Sequence, residues 1–193
     1  LTLDGKPITG GAESFLHAGI GHIPEDRMTR GLVLDMSIEE NVILGYHRSG
    51  MFAARGLFKG SKVHDYAKQK AKEYKIKAPG VSELCSSLSG GNQQKVVIAR
   101  VFSQNPNIIL VAQPTRGVDV GAQEYIHNKL LDLRDEGKAI LLISADLDEV
   151  LCLSDRLAVI YDGEIVAEAA PGELSETELG LLMTGGAKTK RGR

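Results

Sequence analysis

Two short apolar runs, Ile108-Ile109-Leu110-Val111-Ala112 and residues 139–144, flank a stretch of helical periodicity, and this arrangement constrains the fold more than any other feature. A strand with no polar face has to be covered on both sides, the condition met by inner strands of parallel sheets. Between the runs, Ala122, Ile126, Leu130 and Leu133 recur at helical spacing over residues 121–134, and Gly137 follows as a stop signal. Strand, amphipathic helix, strand predicts an α/β domain on a parallel sheet. At 193 residues the chain suits one domain, or one core with a smaller attached subdomain, rather than two independent domains.

Residues 1–45 read as short strands and turns: Leu1-Thr2-Leu3 opens as a strand, Asp4-Gly5 is a hairpin turn signal, and Gly19-Ile20-Gly21-His22-Ile23-Pro24 leads into the charged loop Glu25-Asp26-Arg27. Loops at strand ends are common sites of ligand contact. From about residue 41 to residue 88 the pattern turns helical, with Val63, Tyr66, Ala67, Ala71 and Tyr74 on one face and lysines on a solvated one. Residues 156–161 and 164–168 form strands around the turn Asp162-Gly163. Ser175 and Glu178 have capping-box spacing for a last short helix. The basic end, residues 186–193, reads as a flexible, solvated tail.

Lys plus Arg number 23 and Asp plus Glu 25, a formal net charge of −2, so no broad basic field exists to hold nucleic acid. Cys85 and Cys152 stand alone in apolar surroundings, which predicts two reduced core thiols and neither a disulfide framework nor a metal site. No apolar stretch nears the ~20 residues of a membrane span, and the first residues are no signal peptide, so a cytosolic protein is expected. The chain opens without Met and already in a strand, as a piece of a longer chain would.

Ser89-Gly90-Gly91-Asn92 runs straight into Gln93-Gln94-Lys95-Val96-Val97-Ile98-Ala99-Arg100, so a helix starts on a glycine-rich loop. Glycines let the backbone approach a ligand closely, while free N–H groups and the helix dipole favour an anion. The Ser89 hydroxyl adds a donor. The same residues would also serve as an ordinary N-cap and turn, and by themselves they do not separate the two readings. Gly19-x-Gly21-x-x-Pro24 lacks the third glycine of a dinucleotide fingerprint.

The order of motifs separates them. Leu88-Ser89-Gly90-Gly91-Asn92, the helix after it, Pro106, the apolar strand and then Pro114-Thr115-Arg116-Gly117-Val118-Asp119 resemble the ATP-binding cassette (ABC) ATPases. In that family a signature loop and its helix precede the Walker B strand and the D-loop. The resemblance implies an α/β P-loop NTPase fold of the ABC nucleotide-binding type, with a helical subdomain inserted over about residues 42–100. It places Glu25 at the Q-loop glutamine, Ser89, Gly90, Gly91 and Asn92 on the signature, residues 108–113 on Walker B, Asp119 on the D-loop, and Ser144-Ala145-Asp146 at the switch histidine. Pro24-Glu25-Asp26-Arg27, Gly90-Gly91-Asn92-Gln93-Gln94-Lys95 and residues 114–122 resemble the second of two fused ATP-binding halves in importers of simple sugars and nucleosides. Ala112-Gln113-Pro114 leans toward the nucleoside branch.

Departures from the family pattern are equally specific. Gly5-Lys6 is followed by Pro7 and Gly137-Lys138 by Ala139, so neither is a P-loop; the resemblance puts that loop upstream of Leu1, and the chain is expected to be a partial domain, residues 1–193. Ala112 replaces a carboxylate that would help hold Mg²⁺, Gln113 replaces the glutamate that would polarise water, and Ala145 replaces the switch histidine. No catalytic residue and no metal ligand is expected here.

ABC sites form between two cassettes facing head to tail. The resemblance therefore implies a degenerate half that donates its signature loop to ATP, with Mg²⁺, on the other half of the same protein. Membrane permease subunits, and indirectly a substrate-binding protein, would be the further partners, at the inner face of the cell membrane. The alternative is a scaffold or regulatory module that pairs with another ATPase without driving transport.

Overall fold

The computed structural model describes residues 2–3 and 5–186. Leu1, Asp4 and the basic tail from residue 187 onward, all singled out in the sequence, lie outside the described residues. Packing divides the chain into two compact units, Leu1–Leu141 and Leu142–Arg193.

The first unit opens with the antiparallel pair β1 (Thr2–Leu3) and β2 (Lys6–Pro7), followed by helix α1 (Ala12–His17) and strand β3 (Ile20–Ile23). After β3 comes a single π turn, Arg27–Gly31, whose N-cap Asp26 accepts from the N–H groups of Met28 and Thr29. Helix α2 (Ile38–Ile43) starts earlier than the apolar periodicity suggested, because Ser37 and Glu40 form a reciprocal capping box. The expectation of only strands and turns before residue 45 is thus corrected: three short helical segments lie there, each too short to show an apolar period.

A small hairpin follows, β4 (Ala53–Ala54) and β5 (Leu57–Phe58), and then helix α3 (Gly60–Glu73). Val63 and Ala67 are its buried residues, as the spacing required. Ile43, Phe52 and Val63 form a local core with Tyr66 packed against it, the Phe52 and Tyr66 rings meeting edge-on at 4.9 Å. Asn41 is fully buried yet satisfied: its Nδ2 donates to the carbonyls of Val33 (2.9 Å), Met36 (3.2 Å) and Ser37 (3.0 Å), and its Oδ1 accepts from Val33 N–H at 2.9 Å.

A 3₁₀ turn at Cys85–Ser87 leads to helix α4 (Gly90–Phe102), with Val96, Val97, Ile98 and Ala99 fully buried. Strand β6 (Ile108–Ala112), helix α5 (Val120–Asp135) and strand β7 (Ala139–Ile143) complete the alternation read from the sequence. The sheet order is β3-β6-β7, and β3 runs parallel to β6 with Ile20 opposite Ile108 and Ile23 opposite Val111. In α5 the residues turned inward are Ala122, Ile126, Leu130 and Leu133, and Gly137 takes φ +83° just after the helix, as a C-terminal stop does.

The second apolar run departs from expectation. On β6, Ile109 and Val111 are fully buried, but on β7 Leu141 and Ile143 are more than half exposed. Among the described residues β7 has a single strand neighbour and one uncovered face, so its apolar sequence reflects an unmet demand for cover.

The second unit holds helix α6 (Leu147–Leu153), the hairpin β8 (Leu157–Tyr161) and β9 (Glu164–Ala169), and helix α7 (Glu176–Met183). Asp162 and Gly163 both take positive φ, +48° and +79°, as a two-residue hairpin turn of this hand requires. The Ser175–Glu178 capping box forms as its spacing predicts, and Leu157, Val159 and Leu179 make the core. Cys152 is exposed, which corrects the expectation of two core thiols, while Cys85 is buried. No helix among the described residues is long and apolar enough to cross a membrane.

Candidate functional site

Helix α4 begins at Gly90 with Ser89 in the N-cap position and in an extended conformation, yet the Ser89 side chain makes no capping hydrogen bond. Its Oγ instead accepts from Asn92 Nδ2 at 3.0 Å, and Asn92 Oδ1 accepts from the Lys77 N–H at 2.8 Å. Ser89 is exposed, so its hydroxyl proton is available to a ligand. The first N–H groups of this 13-residue helix thus have no side-chain cap from Ser89, whose carbonyl accepts from the Gln93 N–H at 2.9 Å, and they carry the positive end of the helix dipole. A helix start without a side-chain cap is one whose free N–H groups an anion can satisfy.

Packing leaves little room for a side chain at either glycine, least at Gly90. A Cβ on Gly90 would lie 2.5 Å from Arg27 Nη2 and 2.9 Å from the Gly117 carbonyl oxygen. On Gly91 it would lie 2.8 Å from Asp119 Oδ2 and 3.2 Å from Ala122 Cβ. The helix start is therefore pressed against residues 117–122, and Asp119 reaches it while also capping α5 through Ala122 N–H at 2.9 Å.

The charged loop after β3 joins the same cluster. Arg27 donates from Nη1 to the Arg116 carbonyl at 2.7 Å and from Nη2 to the Gly117 carbonyl at 3.2 Å. Glu25 and Arg116 form an exposed ion pair. Asp26, accepting from Thr29 Oγ1 at 2.7 Å and from two N–H groups, is held below its ordinary pKa mainly by the Thr29 hydroxyl. Glu25, Ser89, Gly90, Gly91, Asn92 and Asp119, all singled out in the sequence, thus belong to one unit of the fold. Arg27 and Arg116, which tie the loops together, were not assigned a role from sequence, because no local signal connects residues 89 positions apart.

Gln113 follows β6 with φ +48°, a left-handed conformation that a non-glycine residue adopts at some cost, and its carbonyl accepts from Arg116 N–H at 3.2 Å. With Ala112 before it, this strand end offers an amide and a methyl group but no carboxylate. Such a donor set does not suit Mg²⁺, which prefers anionic oxygen ligands. In the second unit Ser144 Oγ accepts from Asp146 N–H at 3.0 Å and Asp146 caps α6; Ala145 between them carries no polar side chain.

A family profile described as ABC transporter matches residues 1–116. The chain is 44% identical over 194 residues to a guanosine import ATP-binding protein of Bacillus subtilis, aligning all of itself with 38% of that protein. It is 47% identical over 187 residues to a nucleoside import ATP-binding protein of Lactococcus lactis, where 96% of this chain covers 37% of the relative. A ribose import ATP-binding protein of Oceanobacillus iheyensis is 40% identical over 187 residues, again 96% of this chain against 37%. The chain thus spans under two fifths of the length of these relatives. Among solved structures, a dimeric ATP-binding cassette in a post-hydrolysis state with ADP and Pi superposes with a TM-score of 0.64 at 27% identity, over 80% of this chain and 64% of that one.

Proposed function

This chain belongs to the ABC transporter family, and we propose that it is the signature-bearing part of the second ATP-binding half of an importer, acting on ATP held by the other half. The observation that carries the reading is the start of α4, which the exposed Ser89 hydroxyl does not cap and whose glycines pack against Arg27, Gly117 and Asp119. ATP bound across the interface supplies the phosphoryl group. The Ser89 hydroxyl and the first N–H groups of α4 donate to its terminal phosphate, and Asn92, by donating to Ser89 Oγ, leaves the Ser89 proton turned toward the ligand. Gln113 is too weakly basic to take a proton from water, and no Mg²⁺-dependent step is assigned to Ala112. The half's own nucleotide site is degenerate, with Ala145 in place of a polar switch residue, and Mg²⁺ belongs to the partner site.

The higher identity to relatives named for guanosine and nucleoside import supports a nucleoside as cargo over a simple sugar. Permease subunits and a substrate-binding protein complete the machine at the inner face of the membrane, with the Glu25 loop relaying nucleotide state.

The test is the ATPase activity of the full-length protein. Ser89→Arg should lower it by about 10²–10³-fold, the usual cost of a lost preorganised donor, whereas Gln113→Ala should leave it within about twofold. The opposite pattern would reassign the working site to this half.

A further inference from the structure

Beside the signature loop, the first turns of α4 and α5 and the segment after α3 line an open cavity of about 310 Å³, with Lys75, Lys77, Lys95, Asn92, Asp119 and Tyr125 among its lining residues. Three lysines line it with a single carboxylate, and Asp119 already spends one oxygen capping α5. None of the three lysines has a carboxylate ion-pair partner among the described residues. Two of them are gathered instead by an aromatic ring: Lys75 Nζ and Lys95 Nζ stand 5.5 and 5.2 Å from the Tyr125 ring centroid. Lys95 also donates to the Lys75 carbonyl at 3.3 Å, and Lys75 holds a left-handed φ of +52°. Burial, opposed by Asp119 and reinforced by Lys77 and Lys75, pushes the Lys95 ammonium below its ordinary pKa. The fold therefore maintains a concave site with three lysines to one carboxylate, a surplus of positive charge.

We propose that this cavity binds a small phosphate-bearing anion, held by Lys75, Lys77 and Lys95 over the Tyr125 ring. A dianion matches the surplus charge, and three ammonium groups from two elements can each donate to a separate phosphate oxygen. Occupancy would also reach the signature loop, since the Lys77 N–H holds Asn92 Oδ1 and Asn92 holds Ser89 Oγ. The binding stands whether or not Ser89 serves a partner's nucleotide.

Calorimetric titration of the nucleotide-free full-length protein with ribose 5-phosphate and with inorganic phosphate tests it. Saturable binding of at least one probe is expected, weakened about tenfold by Lys95→Gln or Lys75→Gln and weakened also by Tyr125→Leu, which removes the ring that gathers the ammonium groups. Lys72→Gln removes the same charge from the exposed surface of α3 outside the cavity and should leave affinity unchanged. The ranking of the two probes identifies the source, a phosphate ester or the free ion. Absence of saturable binding by both probes, or equal weakening by Lys72→Gln, overturns the site.

Discussion

The Arg27 guanidinium donates to the Gly117 carbonyl at 3.2 Å while leaving no room beside it for a side chain on Gly90, so three separate loops share one close-packed junction. Alanine at a helix position normally gains up to about 1 kcal/mol over glycine. Here the 2.9 Å approach to a backbone oxygen wins, and Gly90→Ala should destabilise by about 1–3 kcal/mol. Arg27→Ala should cost about 1 kcal/mol through two lost hydrogen bonds. Because removing Arg27 relieves one of the two clashes, the double variant should be less unstable than the sum. Urea unfolding of the four proteins measures this, and strict additivity would mean that the junction is not shared.

Asn41 sits where no other side chain can replace it, at zero exposure with both ends of its amide in use. Asn41→Ala strands the Val33 N–H and takes the second donor from the Val33, Met36 and Ser37 carbonyls, each of which keeps a backbone N–H partner, and should cost about 1–3 kcal/mol. Asn41→Asp removes the donor and adds a buried charge, so it should be worse. Thermal unfolding ranks the two, and a larger loss for alanine would contradict the hydrogen-bond pattern.

Acid should loosen the fold by a defined route. The Ser37 backbone N–H first, and then its hydroxyl, hold Glu40 below its ordinary value of 4.5, and the Ser175 hydroxyl and N–H do the same for Glu178. A carboxylate whose folded pKa is depressed contributes stability that is complete above its unfolded value and is lost as pH falls through the folded one. Stability should therefore be level above about pH 5.5 and decline as pH falls below 4.5. Ser37→Ala should flatten part of that decline. An unchanged slope would remove the α2 capping box from the account.

The two cysteines should react in sequence. Burial raises the Cys85 thiol to about 11, so at neutral pH its thiolate is scarce as well as covered, whereas Cys152 is exposed. A thiol reagent at pH 7.5 should label one site in the folded protein and the second only in denaturant. Peptide mapping that finds Cys85 modified first would contradict the burial.

Much of this protein is written in signals that act within a few residues. The Asp119 cap of α5, the Ser175–Glu178 box and the Asp162-Gly163 turn each satisfy backbone groups three or four positions away, and the inward face of α5 follows from helical period alone. The apolar run of β6 likewise announces a covered strand. The Ser37–Glu40 box is equally local, but α2 is too short to show an apolar period that would mark it as a helix. What the tertiary structure decided is where separate loops meet. Parallel pairing of β3 with β6 sets Ile23 opposite Val111, and that register carries the two strand ends, with Arg27 after one and Arg116 and Gly117 after the other, to the same place. Only then do Gly90 and Gly91 find little room for a side chain, Lys75, Lys77 and Lys95 come to line one cavity, and β7 stand with an apolar face uncovered, because each depends on what lies across space from a residue rather than along its own chain.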